Sequence, residues 1–313
     1  MNKICQWRLL ALLLWLPVGG CAQSNDATGT AEHLSASSPY GEAIIITNIP
    51  YATNATPRQN FDLILPAHRD KELFPLVVWI HGGAWLSGLK EWNNVKYLVR
   101  NGYAIANVDY RASTEAPFPA QIQDCNAALN FILARATNYG ISPHRFVVGG
   151  GSAGGHLALL LGLARHEKSF GADPAIKPLA ILDFFGPADF SRARNDLQAI
   201  QAGQGVALFD EVMPKLMGAP LEQSADKLKL ASPIQYVAAD NPPVLILHGG
   251  KDEFVAAAQS QRLHEFLDRA GVQNRLILIA DAGHDGTPFS TPEIAAQVNG
   301  FLDRIFKDSS SPP

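Results

Sequence analysis

Eight short apolar runs punctuate the chain: residues 43–49 (AIIITNI), 61–65 (FDLIL), 76–81 (LVVWIH), 103–109 (YAIANVD), 145–149 (RFVVG), 179–185 (LAILDFF), 244–248 (VLILH) and 275–280 (RLILIA). The later ones are continuous rather than alternating, as expected of parallel strands covered on both faces. Stripes at helical spacing lie between them. Ile122, Cys125, Leu129, Ile132, Leu133 and Ala136 form one stripe, closed by Gly140. Leu263, Phe266, Leu267 and Ala270 form a second, closed by Gly271. Thr291 and Pro292 open a third, with Val298, Phe301, Leu302 and Ile305 facing inward. This alternation predicts an α/β protein with an eight-stranded, mostly parallel, doubly wound sheet flanked by helices. Residues 186–243 break the rhythm, since they separate two strands by more than one helix requires. They are expected to form a small cap-like insertion over the carboxyl edge of the sheet, where open α/β folds bind ligands.

Composition changes the picture mainly at the ends. The net charge is −4, and no Lys/Arg run exceeds a pair, which argues against nucleic acid as a partner. Residues 1–20 combine Lys3, Arg8 and a short apolar run, the pattern of a secretory signal too short for a good membrane span. Val18-Gly19-Gly20-Cys21 resembles a bacterial lipobox. The resemblance implies lipidation of Cys21 and a chain anchored to the cell envelope, at the outer membrane where the cell has one; ordinary cleavage near Ala22 is the other reading. Residues 21–41 are small and polar and read as a flexible tether. The main domain is expected over 42–306, followed by a disordered tail, 307–313. Apart from Cys5 and Cys21 only Cys125 is left, so the mature domain has no pair to form a disulfide. Its place on a helix stripe predicts burial.

The glycine-rich stretch FVVGGGSAGG, residues 146–155, fits two chemistries. Gly149-x-Gly151-x-x-Gly154 matches a dinucleotide-binding turn, whereas Gly150-x-Ser152-x-Gly154 matches a nucleophile elbow. The dinucleotide reading fails on position. Such a turn opens its domain and needs an acid about 20 residues on; this one follows the fifth strand run, and neither Asp173 nor Asp183 fits. The position after Gly155 is His156 rather than Lys, so a phosphate loop fails too.

A serine nucleophile needs a base, an acid to orient the base, and donors for an oxyanion. Asp252 follows the seventh strand run and His284 the eighth, both at carboxyl ends. The stretch WIHGGAW, residues 79–85, ends another strand in a glycine-rich loop whose N–H groups can converge. The other histidines, His81, His156 and His248, read as structural, and their spacing does not suggest a metal site. Asp109 and Arg111 read as an ion pair or a loop brace, and Trp85 and Tyr110 as either pocket or packing residues.

Together, HGGAW (81–85), GYAIANVDYR (102–111), APFPAQIQD (116–124), GGSAGGHLA (150–158), FFGPADF (184–190), LHGGKDEFV (247–255) and AGHDG (282–286) resemble the α/β-hydrolase family. Within it the match is to bacterial feruloyl-esterase-like (BD-FAE) and hormone-sensitive-lipase-like esterases, over about residues 42–306. Ala84 stands where the lipase-like group usually has a third glycine, and DYRAST lacks that group's fuller acidic motif. The resemblance implies Ser152, Asp252 and His284 as the catalytic residues and the N–H groups of Gly83, Ala84 and Ala153 as the oxyanion hole. It implies cleavage of short-chain acyl or aryl esters through an acyl-enzyme, with no cofactor and no metal. Acetyl and feruloyl groups on glycans are candidate substrates, as are small-molecule esters. Two rival readings share the fold: an amide-cleaving hydrolase (formamidase or peptidase), and a surface-tethered, non-catalytic binding protein.

Overall fold

Burial of the apolar runs produces one mixed sheet. The computed structural model describes residues 29–68 and 73–308. The proposed signal and Cys21 lie outside the described residues. Among the described residues nine strands form, in chain order: β1 (Thr30–Leu34), β2 (Ala43–Pro50), β3 (Asn60–Pro66), β4 (Phe74–Ile80), β5 (Ala104–Val108), β6 (Ile141–Gly151), β7 (Ile181–Phe184), β8 (Val244–Gly249) and β9 (Asn274–Ile279). Their spatial order is β1-β2-β3-β5-β4-β6-β7-β8-β9. The first three strands and β5 pair antiparallel, and everything from β5 through β9 is parallel. Each of the eight apolar runs lies on one of the strands β2 to β9.

The ninth strand corrects the reading of residues 21–41 as a tether. Thr30–Leu34 pairs antiparallel with Ala43–Thr47 along the sheet edge. Its side chains are almost all exposed, so backbone hydrogen bonds rather than burial recruit it. No hydrophobic pattern announces a strand of that kind.

Among the described residues seven α-helices complete the layers: α1 (Ala120–Arg135), α2 (Ala153–Leu163), α3 (Phe190–Ala199), α4 (Gly203–Met217), α5 (Ala225–Leu230), α6 (Ala258–Arg269) and α7 (Pro292–Asp308). Strand pleating divides the core in two. Leu76, Val78 and Ile80 of β4 face one cluster with Ile122 of α1, Leu157 of α2 and Leu263 of α6. Val77 and Trp79 face the other, with Val298 and Leu302 of α7. Thr291 caps α7, its Oγ1 accepting from the Ile294 N–H at 3.4 Å. The helix runs through Asp308, so it takes in the first residues of the segment read as a tail. Phe266 is not part of the buried α6 stripe; it is 40% exposed.

The 186–243 segment becomes α3, α4 and α5 with short turns between them. Gly205 of α4 packs so closely that an added Cβ would lie 2.0 Å from the Glu253 carbonyl oxygen. The insertion is therefore pressed onto the loop after β8, at the carboxyl edge of the sheet.

Candidate active site

Backbone geometry at the end of β6 exposes one side chain. Ser152 stands between β6 and α2 with φ 55° and ψ −121°, a region that L-residues rarely occupy. Its N–H is held by the Phe184 carbonyl at 2.8 Å, and its carbonyl accepts from the His156 N–H at 3.0 Å. The flanking glycines are required by close approach. A Cβ on Gly154 would fall 2.0 Å from the Ile80 carbonyl oxygen, and one on Gly150 would fall 2.4 Å from the Gly154 backbone. Gly149 and Gly155 also have reasons beyond the elbow pattern. Side chains there would strike Leu182 Cβ at 2.9 Å and the Asp183 carboxylate at 2.6 Å. The strained turn thus fits only where β6, β7 and α2 meet without side chains between them.

The structure brings Ser152, His284 and Asp252 together from three separate strand ends. The Ser152 hydroxyl donates to His284 Nε2 at 2.8 Å. His284 Nδ1–H donates to Asp252 Oδ2 at 2.7 Å. Asp252 is 1% exposed. Its Oδ1 accepts from the Phe254 and Val255 N–H groups, both at 2.8 Å. Burial alone would raise the Asp252 pKa, but hydrogen bonds from His248 and His284 outweigh it and hold the carboxyl well below the usual range. The acid is therefore an anion facing the imidazole. Rings of Phe185 and Phe254 stand edge-on to His284, with centroids 4.9 Å and 5.8 Å away.

The loop after β4 holds the candidate donors. Gly83, Ala84 and Trp85 are consecutive residues at positive φ, 120°, 53° and 57°. Its turn is closed by the Leu86 and Ser87 N–H groups, both 3.0 Å from the Gly83 carbonyl. Among the described residues, the N–H groups of Gly83, Ala84 and Ala153 make no hydrogen bond within the protein. Gly83 and Ala84 line the same cavity as Ser152 and His284. Ala153 does not line it; it is the first residue of α2, where helix N–H groups are free and the dipole favours negative charge.

The structural histidines brace this centre. His81 is fully buried, with Nδ1 2.6 Å from the Gly82 carbonyl and Nε2 3.0 Å from Asp109. Tyr110 stacks on it at 4.5 Å and donates its hydroxyl to the His81 carbonyl, so Tyr110 is a packing residue. His156 accepts from Trp85 Nε1–H at 3.2 Å and donates to the Ala231 carbonyl at 2.7 Å. Burial lowers its pKa to about 4, so it is neutral. Asp109 and Arg111 do not pair with each other. Asp109 takes Arg58 at 2.8 Å, and Arg111 takes Asp124 of α1 at 2.7 Å. Cys125 is buried and free. Among the described residues, no three His, Cys, Asp or Glu side chains converge as a metal-binding group.

A cavity of about 730 Å³ opens over Ser152. Trp85, Phe185, Phe254 and Gln259 line it together with α3 and α4. Of these, Phe185 and Phe254 lie within the motifs FFGPADF and LHGGKDEFV without having been singled out, and Gln259 had no signal in the sequence.

A family model described as BD-FAE matches residues 61–267. The chain belongs to the BD-FAE family. Esterase LipQ of Mycobacterium tuberculosis is 27% identical over 83% of the chain and 61% of its own length. The chain spans about half to three-fifths of the first curated relatives it matches. Among solved structures, a bifunctional GH43-CE protein of Bacteroides eggerthii is 26% identical with TM-score 0.73, over 84% of this chain and 35% of that one. Esterase B of Lactobacillus rhamnosis is also 26% identical, with TM-score 0.70, over 85% and 86%. The BD-FAE assignment fits the α/β-hydrolase-like, mostly parallel sheet.

Proposed function

We propose that this BD-FAE chain is a serine carboxylester hydrolase. The observation that carries the reading is the unbroken chain of hydrogen bonds from Ser152 through His284 to Asp252, at 2.8 Å and 2.7 Å. Ser152 Oγ attacks the ester carbonyl carbon while His284 Nε2 takes the hydroxyl proton. The C=O electron pair moves onto oxygen, where the N–H groups of Gly83, Ala84 and Ala153 stabilise the anion. As the tetrahedral intermediate collapses, the ester C–O bond breaks and His284 gives its proton to the leaving alcohol. Water then repeats the sequence on the acyl-enzyme, with His284 as base, and restores Ser152. Asp252 keeps Nδ1 protonated, so Nε2 is free to accept, and it stabilises the imidazolium.

Esters with short acyl or aryl groups are the proposed substrates, including acyl groups carried on glycans. Relatives described as esterases and a neighbour described as a bifunctional GH43-CE protein support that choice. The test is Ser152→Ala together with a fluorophosphonate probe. The wild type should hydrolyse butyrate esters and take one label on Ser152, and the variant should do neither. Full turnover by Ser152→Ala would sink the mechanism, and folded wild type that neither labels nor turns over would favour a binding role.

Lipidation of Cys21 and residence at the cell envelope are part of the same proposal. They rest on the lipobox resemblance of Val18-Gly19-Gly20-Cys21. Membrane fractionation of Cys21→Ala checks them, because the variant should move to the soluble fraction if the anchor is real.

A further inference from the structure

The cavity is chemically two-sided, and this inference rests on the ester-hydrolase reading above. His284 must protonate the leaving oxygen, so the alcohol lies on the His284 side of the scissile bond. The acyl chain then continues the other way, past the oxyanion loop and Trp85. Trp85 meets Phe190 of α3 edge-on, with centroids 5.6 Å apart. Beyond it the wall is aliphatic and aromatic: α3 and α4 present Ala193, Leu197, Phe209, Val212 and Met213 to the cavity.

That wall offers no free hydrogen-bonding group. The polar side chain beside it is Gln259, and its amide is fully engaged. Oε1 accepts from the Ala188 and Asp189 N–H groups at 3.0 Å and 2.7 Å. Nε2 donates to the Asp189 carbonyl at 3.1 Å and to Asp196 Oδ2 at 2.6 Å. Both lone pairs and both protons are used. Arg262 holds Asp196 in place at 2.8 Å, so the acceptor of the Gln259 amide is itself fixed. The other polar residues of the cavity lie off the α3–α4 wall: Asp285 and Ser290 follow His284 in the chain, Ser87 closes the oxyanion loop onto the Gly83 carbonyl, Asn93 is engaged by Asn107, and Asn94 stands beside Gly151.

We propose that the acyl site selects a saturated, unhydroxylated chain, from butyryl to octanoyl, esterified to a polar alcohol. Hydroxylated aromatic acids are disfavoured, because a phenol hydroxyl against the α3–α4 wall loses its hydration without gaining a partner. A cavity of about 730 Å³ lies in the range that holds a drug-sized ligand, so an acetyl group leaves most of this wall uncovered. Each methylene buried there is worth about fourfold in kcat/KM, hence on the order of 10²-fold from acetyl to hexanoyl.

The experiment measures kcat/KM for acetyl, butyryl, hexanoyl and octanoyl esters of one alcohol, beside methyl cinnamate and methyl p-coumarate. The expected result is a rise of about fourfold per methylene to hexanoyl. The added hydroxyl of p-coumarate should cost about 10- to 100-fold relative to cinnamate. Ala193→Leu and Val212→Phe should each lower the hexanoyl-to-acetyl ratio; being a ratio within one preparation, it is insensitive to loss of folded protein. Turnover of the acetyl ester with a flat or falling chain-length profile would overturn the acyl-site inference alone. So would p-coumarate matching cinnamate. Absence of turnover on every ester would overturn the ester-hydrolase reading and this inference with it.

Discussion

Asp252 Oδ2 is shared by two histidines: His284 Nδ1 at 2.7 Å and His248 Nε2 at 3.2 Å. His248 is fully buried, and its Nδ1 accepts from the Ser260 hydroxyl at 2.7 Å. Its proton therefore sits on Nε2, which also meets the Val255 carbonyl at 2.7 Å. The acid is thus oriented by a residue that never reaches the substrate. Asp183, also buried, is a second acidic side chain near His248.

His248→Asn withdraws the Nε2 donor from Asp252. The carboxylate then loses one of the two contacts that fix Oδ2 toward His284. Activity should fall by about 10-fold, the scale of one charge-assisted hydrogen bond. His248→Gln, which can place a donor near the Nε2 position, should restore most of it. Wild-type kcat/KM on a butyrate ester in His248→Asn would reduce His248 to packing.

Ala84→Val tests the oxyanion loop. Ala84 and Trp85 hold φ 53° and 57° in succession, and a β-branched residue there is a genuine outlier. The loop must shift to relieve it and carries the Gly83 and Ala84 N–H groups away from the carbonyl oxygen. We expect kcat to drop about 10²- to 10³-fold with little change in KM, as for loss of one oxyanion donor. Ala84→Gly should keep kcat, since glycine accepts positive φ freely. Steady-state kinetics on a butyrate ester decide the matter, and near-wild-type kcat in Ala84→Val would remove Ala84 from the hole.

The positions of Ser152, Asp252 and His284 are legible because each directly follows an apolar run, and strand ends converge on one edge of a parallel sheet. Gly149 and Gly155 are not, because their reasons are Leu182 and Asp183, contacts made only once β7 lies beside β6. Asp109 and Arg111 do brace their loop, but through Arg58 and Asp124 rather than through each other, and those partners are brought near only by folding. β1 left no trace because an exposed edge strand needs no pattern. The 186–243 insertion was legible as an excess of chain over the carboxyl edge. Its acyl-facing wall depends on how α3 and α4 pack, which periodicity does not encode. His248 did carry a signal, lying four residues before Asp252, but that spacing has no meaning until β8 and its loop are built.

Gly154 and Gly203 should respond to alanine with opposite signs. At Gly154 the new Cβ would lie 2.0 Å from the Ile80 carbonyl oxygen and 2.6 Å from that of His81, both backbone atoms. β4 and α2 must separate, which costs about 3 kcal/mol or more. At Gly203 nothing lies within 4 Å and the residue is exposed at the start of α4. There alanine narrows the unfolded ensemble and stabilises by about 0.4–1 kcal/mol. Thermal unfolding of the two variants checks the contrast; a mild Gly154→Ala would contradict the close packing of the elbow.

Asp183 gives stability a pH dependence of its own. It is fully buried, and burial raises its pKa to about 7 against opposing contributions from His248 and the Gly186 N–H. Its Oδ1 accepts from the Gly186 N–H at 3.0 Å, while Oδ2 has no partner among the described residues. The folded protein thus holds a proton that the unfolded chain releases near pH 4. Stability from this group is complete below pH 4 and is lost as pH rises toward about 7, by on the order of 4 kcal/mol. His156 runs the other way over much of the same window, because burial lowers its pKa to about 4 and its contribution is lost as pH falls. Comparing Asp183→Asn with wild type cancels that opposing slope, since both proteins keep His156. Asparagine mimics the neutral acid, so the variant should unfold several degrees higher than wild type at pH 8 and at nearly the same temperature at pH 4. A constant difference across that range, or a less stable variant at pH 8, would mean that Asp183 is held as a satisfied anion.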